Sequence, residues 1–187
     1  PDLFTSMPDL PGGAMATRPL HFIWICDCSS SMAIDGKIQA LNTAIEEVIP
    51  HMKAAAQDNP NAQVLLRAIR FSKGSDWIIP EPTPIESFRW NPLTADGDTD
   101  LASALHQVAE QLKAPPMNTR ALPPVLVLIS DGQPTDDYIG GLNALFDQFW
   151  GRKAIRVAIA IGRDADYEVL QQFIGHSNLK PLRANNP

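Results

Sequence analysis

The sequence predicts an α/β domain: a doubly wound, mostly parallel central sheet with one antiparallel strand and helices on both faces. Three observations predict it. Apolar runs of strand length stand at 21–26, 125–130 and 155–161, and 125–130 is continuous rather than alternating, as a strand covered on both faces should be. Between them lie stretches whose apolar residues recur at three- and four-residue spacing, the pattern of helices laid on a sheet. One connection, Ser72-Lys73-Gly74-Ser75, is too short for a parallel crossover, which needs about a dozen residues, so the strands it joins run antiparallel.

The elements follow in order. Residues 1–18 are rich in Pro and Gly without periodicity and read as a tail or linker, with Met15 a candidate native start and the domain spanning 19–187. A strand is predicted over 20–27. Asp35 is placed to cap the next helix, whose buried face is Ile38, Leu41, Ile45, Val48 and Met52 and which fades by Asn59-Pro60. Residues 64–71 read as a second strand and 77–79 as a short third, followed by an irregular Pro-rich stretch to residue 98. A helix opens at Thr99 and carries Leu101, Ala104, Leu105, Val108 and Leu112 on one face. After a Pro-rich connector comes the strand 125–130. Asp136 and Asp137 are read as caps for a helix from Tyr138 marked by Leu142, Leu145, Phe146 and Phe149. A strand over 155–161, a short helix over 167–174 and a strand over 179–183 complete the chain.

Composition narrows the function. A 187-residue chain that is 44% hydrophobic and 19% charged fits one globular domain with a sizeable core. A net charge of −6 argues against nonspecific nucleic-acid binding. No apolar run approaches the about twenty residues that span a bilayer, and no secretory signal pattern opens the chain. Cys26 and Cys28, two apart at a strand end, are poorly placed to bridge each other, and no second pair exists for zinc. Reduced thiols favour a cytoplasmic protein.

The chemistry sits where the strands end. In open α/β sheets ligands bind beyond the carboxyl ends of the strands, at a topological switch point. There the sequence places Asp27, Ser29 and Ser31 at two-residue steps after the first strand, and Asp131 after the strand 125–130; Thr99 opens a helix. Carboxylates and hydroxyls alone suit a hard cation such as Mg²⁺, with Mn²⁺ or Ca²⁺ as alternative occupants. His21, His51, His106 and His176 are scattered and read as surface or core residues rather than ligands. No nucleophile elbow, phosphate-binding glycine loop or paired-histidine helix is present. The acidic residues Asp96, Asp98, Asp100, Asp131, Asp136 and Asp137 raise a two-metal phosphatase as a competing reading, against their commoner use as helix caps and solvated loop residues.

Three runs carry a family resemblance: Asp27-Cys28-Ser29-Ser30-Ser31-Met32, Gly97-Asp98-Thr99-Asp100-Leu101 and Ile129-Ser130-Asp131-Gly132-Gln133-Pro134-Thr135-Asp136. Together they resemble the metal-ion-dependent adhesion site of von Willebrand factor A domains. Ile38-Gln39-Ala40-Leu41-Asn42, the 131–136 run and Leu182-Arg183-Ala184-Asn185-Asn186 are most similar to the bacterial TerY-type tellurium-resistance proteins. The resemblance implies that Ser29 and Ser31 ligate the metal directly, and that Asp27, Thr99 and Asp131 bind it directly or through water. It also implies a non-enzymatic module whose metal takes an Asp or Glu of a protein partner, working beside a kinase or phosphatase in a bacterial stress-response complex. A secreted or surface adhesion module is the alternative from the same family. Two positions depart from the family pattern: Ser30 and Asp98 stand where glycines are usual. Such domains close with a helix after the last strand; its absence before Pro187 predicts an open sheet face.

Overall fold

The computed structural model describes residues 17–184. Its six strands form one sheet in the order β3-β2-β1-β4-β5-β6. They are β1 (Arg18–Asp27), β2 (Ala62–Ser72), β3 (Gly74–Pro84), β4 (Val125–Ser130), β5 (Ile155–Ile161) and β6 (Leu182–Ala184). Every neighbouring pair is parallel except β2 with β3. The helices are α1 (Lys37–Asp58), α2 (Leu101–Gln111), α3 (Tyr138–Asp147), α4 (Phe149–Lys153) and α5 (Tyr167–Ile174). The predicted fold class is the observed one.

Alternation along the central strands divides the core in two. Ile23, Ile25, Ile69, Phe71, Leu126 and Leu128 face α2, α3 and α5, meeting Leu105, Val108, Leu145, Leu170 and Phe173. The intervening residues Trp24, Cys26, Leu66, Ala68, Val127 and Ile129 face α1, meeting Ile38, Leu41, Ile45 and Ile49. Cys26 and Cys28 are free thiols buried in this second layer.

Several boundaries differ from the sequence reading, each for a physical reason. The tail assigned to 1–18 is described only from residue 17, and β1 already pairs at Arg18 with Ala62. Asp35 is not the cap of α1: Asp35 and Gly36 both take positive φ, and Gly36 occupies the cap position. Strand β3 continues through Pro80 and Pro82 to Pro84, because an edge strand tolerates residues that lack an N–H. The helix expected to include Phe149 breaks at Gln148, where α3 ends and α4 begins. The last strand is confined to 182–184 beside β5. A closing helix after it would fall outside the described residues. On the α1 side of β5 and β6 a groove of about 690 Å³ is lined by Ala44, Val48, Ile159 and Leu182.

One buried side chain fixes the long segment between β3 and α2. Asn42 on α1 donates to the Leu93 carbonyl (2.9 Å) and accepts from the Leu93 N–H (2.8 Å) and from Trp90 Nε1 (3.1 Å). A side-chain amide can both donate and accept in this manner. Trp90 is therefore half-buried packing rather than a free surface anchor. Asn42→Ala leaves three buried polar groups without a partner. It is expected to cost about 1–3 kcal/mol in chemical denaturation and to speed amide exchange over residues 90–98.

Candidate metal centre

Strand order places the switch point between β1 and β4, because the chain leaves β1 toward β2 on one side while β4 lies on the other. Asp27 is the last residue of β1 and Asp131 the first after β4, and both are fully buried. Leaving β1, the chain turns into a single 3-10 turn over Ser30–Ala33. Ser29 Oγ donates to Asp27 Oδ1 (2.6 Å), the Ser29 N–H donates to the same oxygen (3.0 Å), and Ser29 Oγ lies 3.1 Å from Ser31 Oγ. Hydroxyls whose protons are committed to a carboxylate keep their lone pairs for a cation.

The other loops are tied to this one. The Ser30 N–H and Oγ both reach the Gly97 carbonyl (2.9 and 2.8 Å), and the Asp96 N–H reaches the Cys28 carbonyl (2.8 Å). Ser30, a departure from the family pattern, thus joins the first loop to the loop that carries Thr99. Thr99 and Thr135 bind reciprocally: the Thr99 N–H donates to Thr135 Oγ1 (3.0 Å), and the Thr135 N–H donates to the Thr99 carbonyl (2.9 Å). Ser130 Oγ donates to Asp27 Oδ2 (2.6 Å) while accepting from the Gly132 N–H (2.8 Å). All five residues singled out in the sequence therefore stand on three loops cross-linked at one end of the sheet.

Asp131 is the residue whose surroundings are incomplete. Both of its carboxylate oxygens are buried without a hydrogen-bond donor. The ion pair it does make is with Lys37, whose Nζ lies 3.6 Å from Oδ2 and 2.7 Å from Asp164 Oδ1. A buried carboxylate without full compensation costs several kcal/mol, so the cup fits a group of positive charge. Among the described residues no cluster of three His, Cys, Asp or Glu is arranged for a metal. The donors here are two carboxylates and three hydroxyls, a set suited to hard cations. Burial pushes the Asp27 carboxyl up from its usual 3.8 to about 6; the nearby Asp131 adds to the rise, and the Ser130 and Ser29 bonds oppose it. For Lys37, burial pulls the ammonium down, but Asp164 and Asp131 outweigh it and the net shift is upward.

Sequence reasoning missed Lys37, Ser130 and Asp164. The signal for Lys37 was a cation at the first turn of a helix on the metal-loop side, where the dipole disfavours it. Gly162 is what admits it: a Cβ there would stand 2.6 Å from Lys37 Cε. Gly132, at φ 75°, is held equally closely, since its Cβ would come 2.6 Å from the Asp166 carbonyl oxygen. Four of the other loop acids serve the scaffold, and Asp98 is exposed. Asp137 caps α3 as read, accepting from Gly140 N (3.1 Å), but Asp136 caps α2 instead, accepting from Ala102 N (2.9 Å) and Ser103 N (3.1 Å). Asp100 accepts from the Gly74 N–H at the β2–β3 turn (2.7 Å), and Asp96 pairs with Arg70 (3.7 Å). Of the histidines, His21 is buried and the other three are exposed.

An open sheet of this order, with an acid- and hydroxyl-lined cup at its switch point, defines an α/β domain of the doubly wound class. The chain belongs to the von Willebrand factor type A domain family, whose model matches residues 86–184, more than half its length. The matched segment contains Thr99 and Asp131 and begins after the Asp27–Ser31 loop. No curated protein sequence matches the chain. Among solved structures it is similar to proximal thread matrix protein 1 from the mussel byssus with a zinc-occupied MIDAS motif (17% identity, TM-score 0.69, 91% of this chain and 45% of that one). It is also similar to the ArnB paralog VWA2 of Sulfolobus acidocaldarius (17% identity, TM-score 0.63, covering 92% and 43%). Manganese-loaded TRAP protein of Plasmodium vivax gives 15% identity and a TM-score of 0.62, covering 88% and 65%. At these identities the likeness concerns the fold, and this chain spans less than two thirds of each of the three.

The Asp27 shift has a thermodynamic consequence. A carboxyl whose folded value lies above its unfolded one adds stability that is complete below about 3.8 and gone once the pH has risen through about 6. Asp27→Asn lacks this contribution. In chelator-treated protein, wild-type stability relative to Asp27→Asn is expected to fall across that window by up to a few kcal/mol, read from denaturation midpoints at a series of pH values.

Proposed function

We propose that this chain is a non-enzymatic, metal-dependent protein-binding module. Asp27, Ser29, Ser31, Thr99 and Asp131 hold a divalent cation, Mg²⁺ first and Mn²⁺ or Ca²⁺ as alternatives, whose free position takes an Asp or Glu carboxylate of a partner. The observation that carries this reading is Asp131: a fully buried carboxylate, with no hydrogen-bond donor to either oxygen, beside two serine hydroxyls and a second buried carboxylate. A cation is the simplest group that completes it. The manganese and zinc named for two of the similar structures support divalent binding.

The surroundings of the cup support binding over turnover. Of the loop acids that could supply a second metal or a general base, Asp100, Asp136 and Asp137 are engaged by backbone N–H groups and Asp96 by Arg70. Two carboxylates balance a dication's charge without excess, and hydroxyl ligands leave it electrophilic, so it draws a further anionic oxygen. Ile34, exposed immediately after the metal loop, offers a partner apolar contact beside that oxygen. The TerY-like runs point to a bacterial stress-response complex that includes a kinase or phosphatase, with a cytoplasmic location. Among the described residues no helix is long and apolar enough to cross a membrane.

Calorimetric titration of Mg²⁺ and Mn²⁺ into chelator-stripped protein is expected to show one site per chain, lost in Ser29→Ala/Ser31→Ala and in Asp131→Ala. Absence of any metal heat or metal-induced rise in Tm in the wild type contradicts the reading. Lys37→Met removes the ammonium that shares Asp131 and is expected to tighten Mg²⁺ by up to about tenfold in the same titration. With Mn²⁺ bound, an acidic peptide that displaces metal-bound water lowers water-proton relaxivity, and its amide counterpart does not.

A further inference from the structure

Away from the metal loops, a second charged group is buried without a counter-ion. Arg67, on β2, is 4% exposed. One Nη1 hydrogen is donated to Gln111 Oε1 (3.0 Å), and the guanidinium carbon lies 5.4 Å from the centre of the Trp77 ring. Nε is buried with no partner, and Nη2 donates to no described residue. These two nitrogens form the edge of a guanidinium that receives a carboxylate side-on through two parallel hydrogen bonds. His21 stands in the same place, 9% exposed, with its Nδ1 also buried and unpartnered.

The space in front of these groups is real. His21, Arg67, Trp77 and Gln111 line a pocket of about 320 Å³ that opens to solvent, with Met117 buried in its wall and Pro80, Pro82 and Pro116 exposed at its rim. That volume lies at the lower end of small-molecule sites, which run from about 300 to 1,000 Å³. No carboxylate of the described residues lies within ion-pair distance of Arg67. Glu81 on β3 lines the cavity but is exposed, and it acts on Arg67 only through its field. A buried guanidinium whose Nε lacks a partner, an unpartnered His21 nitrogen beside it and an aromatic and prolyl wall together are the complement of one kind of molecule.

We propose that this cavity is a binding site for a compact organic carboxylate: its carboxylate on the Nε–Nη2 edge of Arg67 and its apolar body against Trp77, Pro80, Pro82 and Met117. The site is separate from the metal cup, being built on the early part of β1, the middle of β2, the edge strand β3, the end of α2 and the connector before β4. Trp77 braces the guanidinium from one side and Gln111 fixes its rotation, so the fork is held in place before a ligand arrives. Glu81 is the built-in competitor at the rim.

The test follows the Arg67 Nε–H resonance in ¹H–¹⁵N spectra, with chelator present throughout so that the metal cup plays no part. Benzoate is titrated against acetate, inorganic phosphate and benzyl alcohol, the last a neutral molecule of similar shape, at constant ionic strength. The proposal expects benzoate to shift Arg67 Nε–H and the Trp77 and Gln111 amides saturably, acetate to bind about tenfold more weakly, and benzyl alcohol to leave Nε–H in place. Arg67→Met is expected to abolish binding and Glu81→Gln to strengthen it. Gln111→Glu, which sets a carboxylate on the guanidinium without removing it, is expected to weaken benzoate about tenfold and serves where Arg67→Met does not fold. No shift in either the wild type or Glu81→Gln overturns the proposal. So does an equal response to benzyl alcohol, or phosphate binding more tightly than benzoate.

Discussion

Asp27 and Asp131 end neighbouring strands and are taken fully out of water there, which sets like charges close together in a medium that screens them poorly. Much of the surrounding structure answers that constraint. Ser29 and Ser130 donate to the two oxygens of Asp27 from opposite sides, and the backbone of Ser29 adds a third bond. Asp131 receives no such bonds, only the partial attention of an ammonium held more firmly by Asp164. The asymmetry identifies the side from which positive charge is wanting. Burial first, and the Asp131 charge second, push the Asp27 carboxyl up to about 6, so a proton relieves part of the constraint. A dication relieves it more fully.

The scaffold converts this local electrostatic problem into a precise surface. Parallel strands β1 and β4 bring the carboxylates to one edge, and while α3 and α5 carry local caps in Asp137 and Asp166, α2 is held from a distance. Asp136 caps α2 from the loop after β4, so the helix that follows Thr99 and the loop that carries Asp131 hold each other in register. Asn42 plays the same part on the other face, binding the chain that leads into Thr99 to α1. Ser30 closes the remaining gap by bonding to Gly97. A serine in place of a glycine there exchanges backbone freedom for a fixed cross-link, which favours a preformed cup over one that assembles only on binding.

Much of this was legible in the residues. Central strands announce themselves because both faces are covered: 125–130 and 155–161 match the observed strands residue for residue. That the loops of Asp27, Thr99 and Asp131 meet was legible because strand ends in a doubly wound sheet must converge. What escaped notice depends on contacts distant in sequence. Nothing local to Asp136 distinguishes a cap for the next helix from a cap for the previous one. Lys37 precedes the apolar stripe of α1 and reads as solvent-facing until Gly162 is seen to clear its path. β3 was read too short because proline argues against a strand, although at an edge it is tolerated. Arg67 interrupts an apolar strand at a position whose neighbours are buried, a signal present in the sequence and given no weight.

The central claim is that the charge missing from Asp131 is supplied by a metal ion held also by the two serines. Anomalous diffraction from crystals grown with Mn²⁺ tests it most directly. The account predicts a single strong peak between the Ser29 and Ser31 hydroxyls and the Asp131 carboxylate. A cup without a peak, while Mn²⁺ occupies the surface acids Asp96 or Asp98, would contradict it.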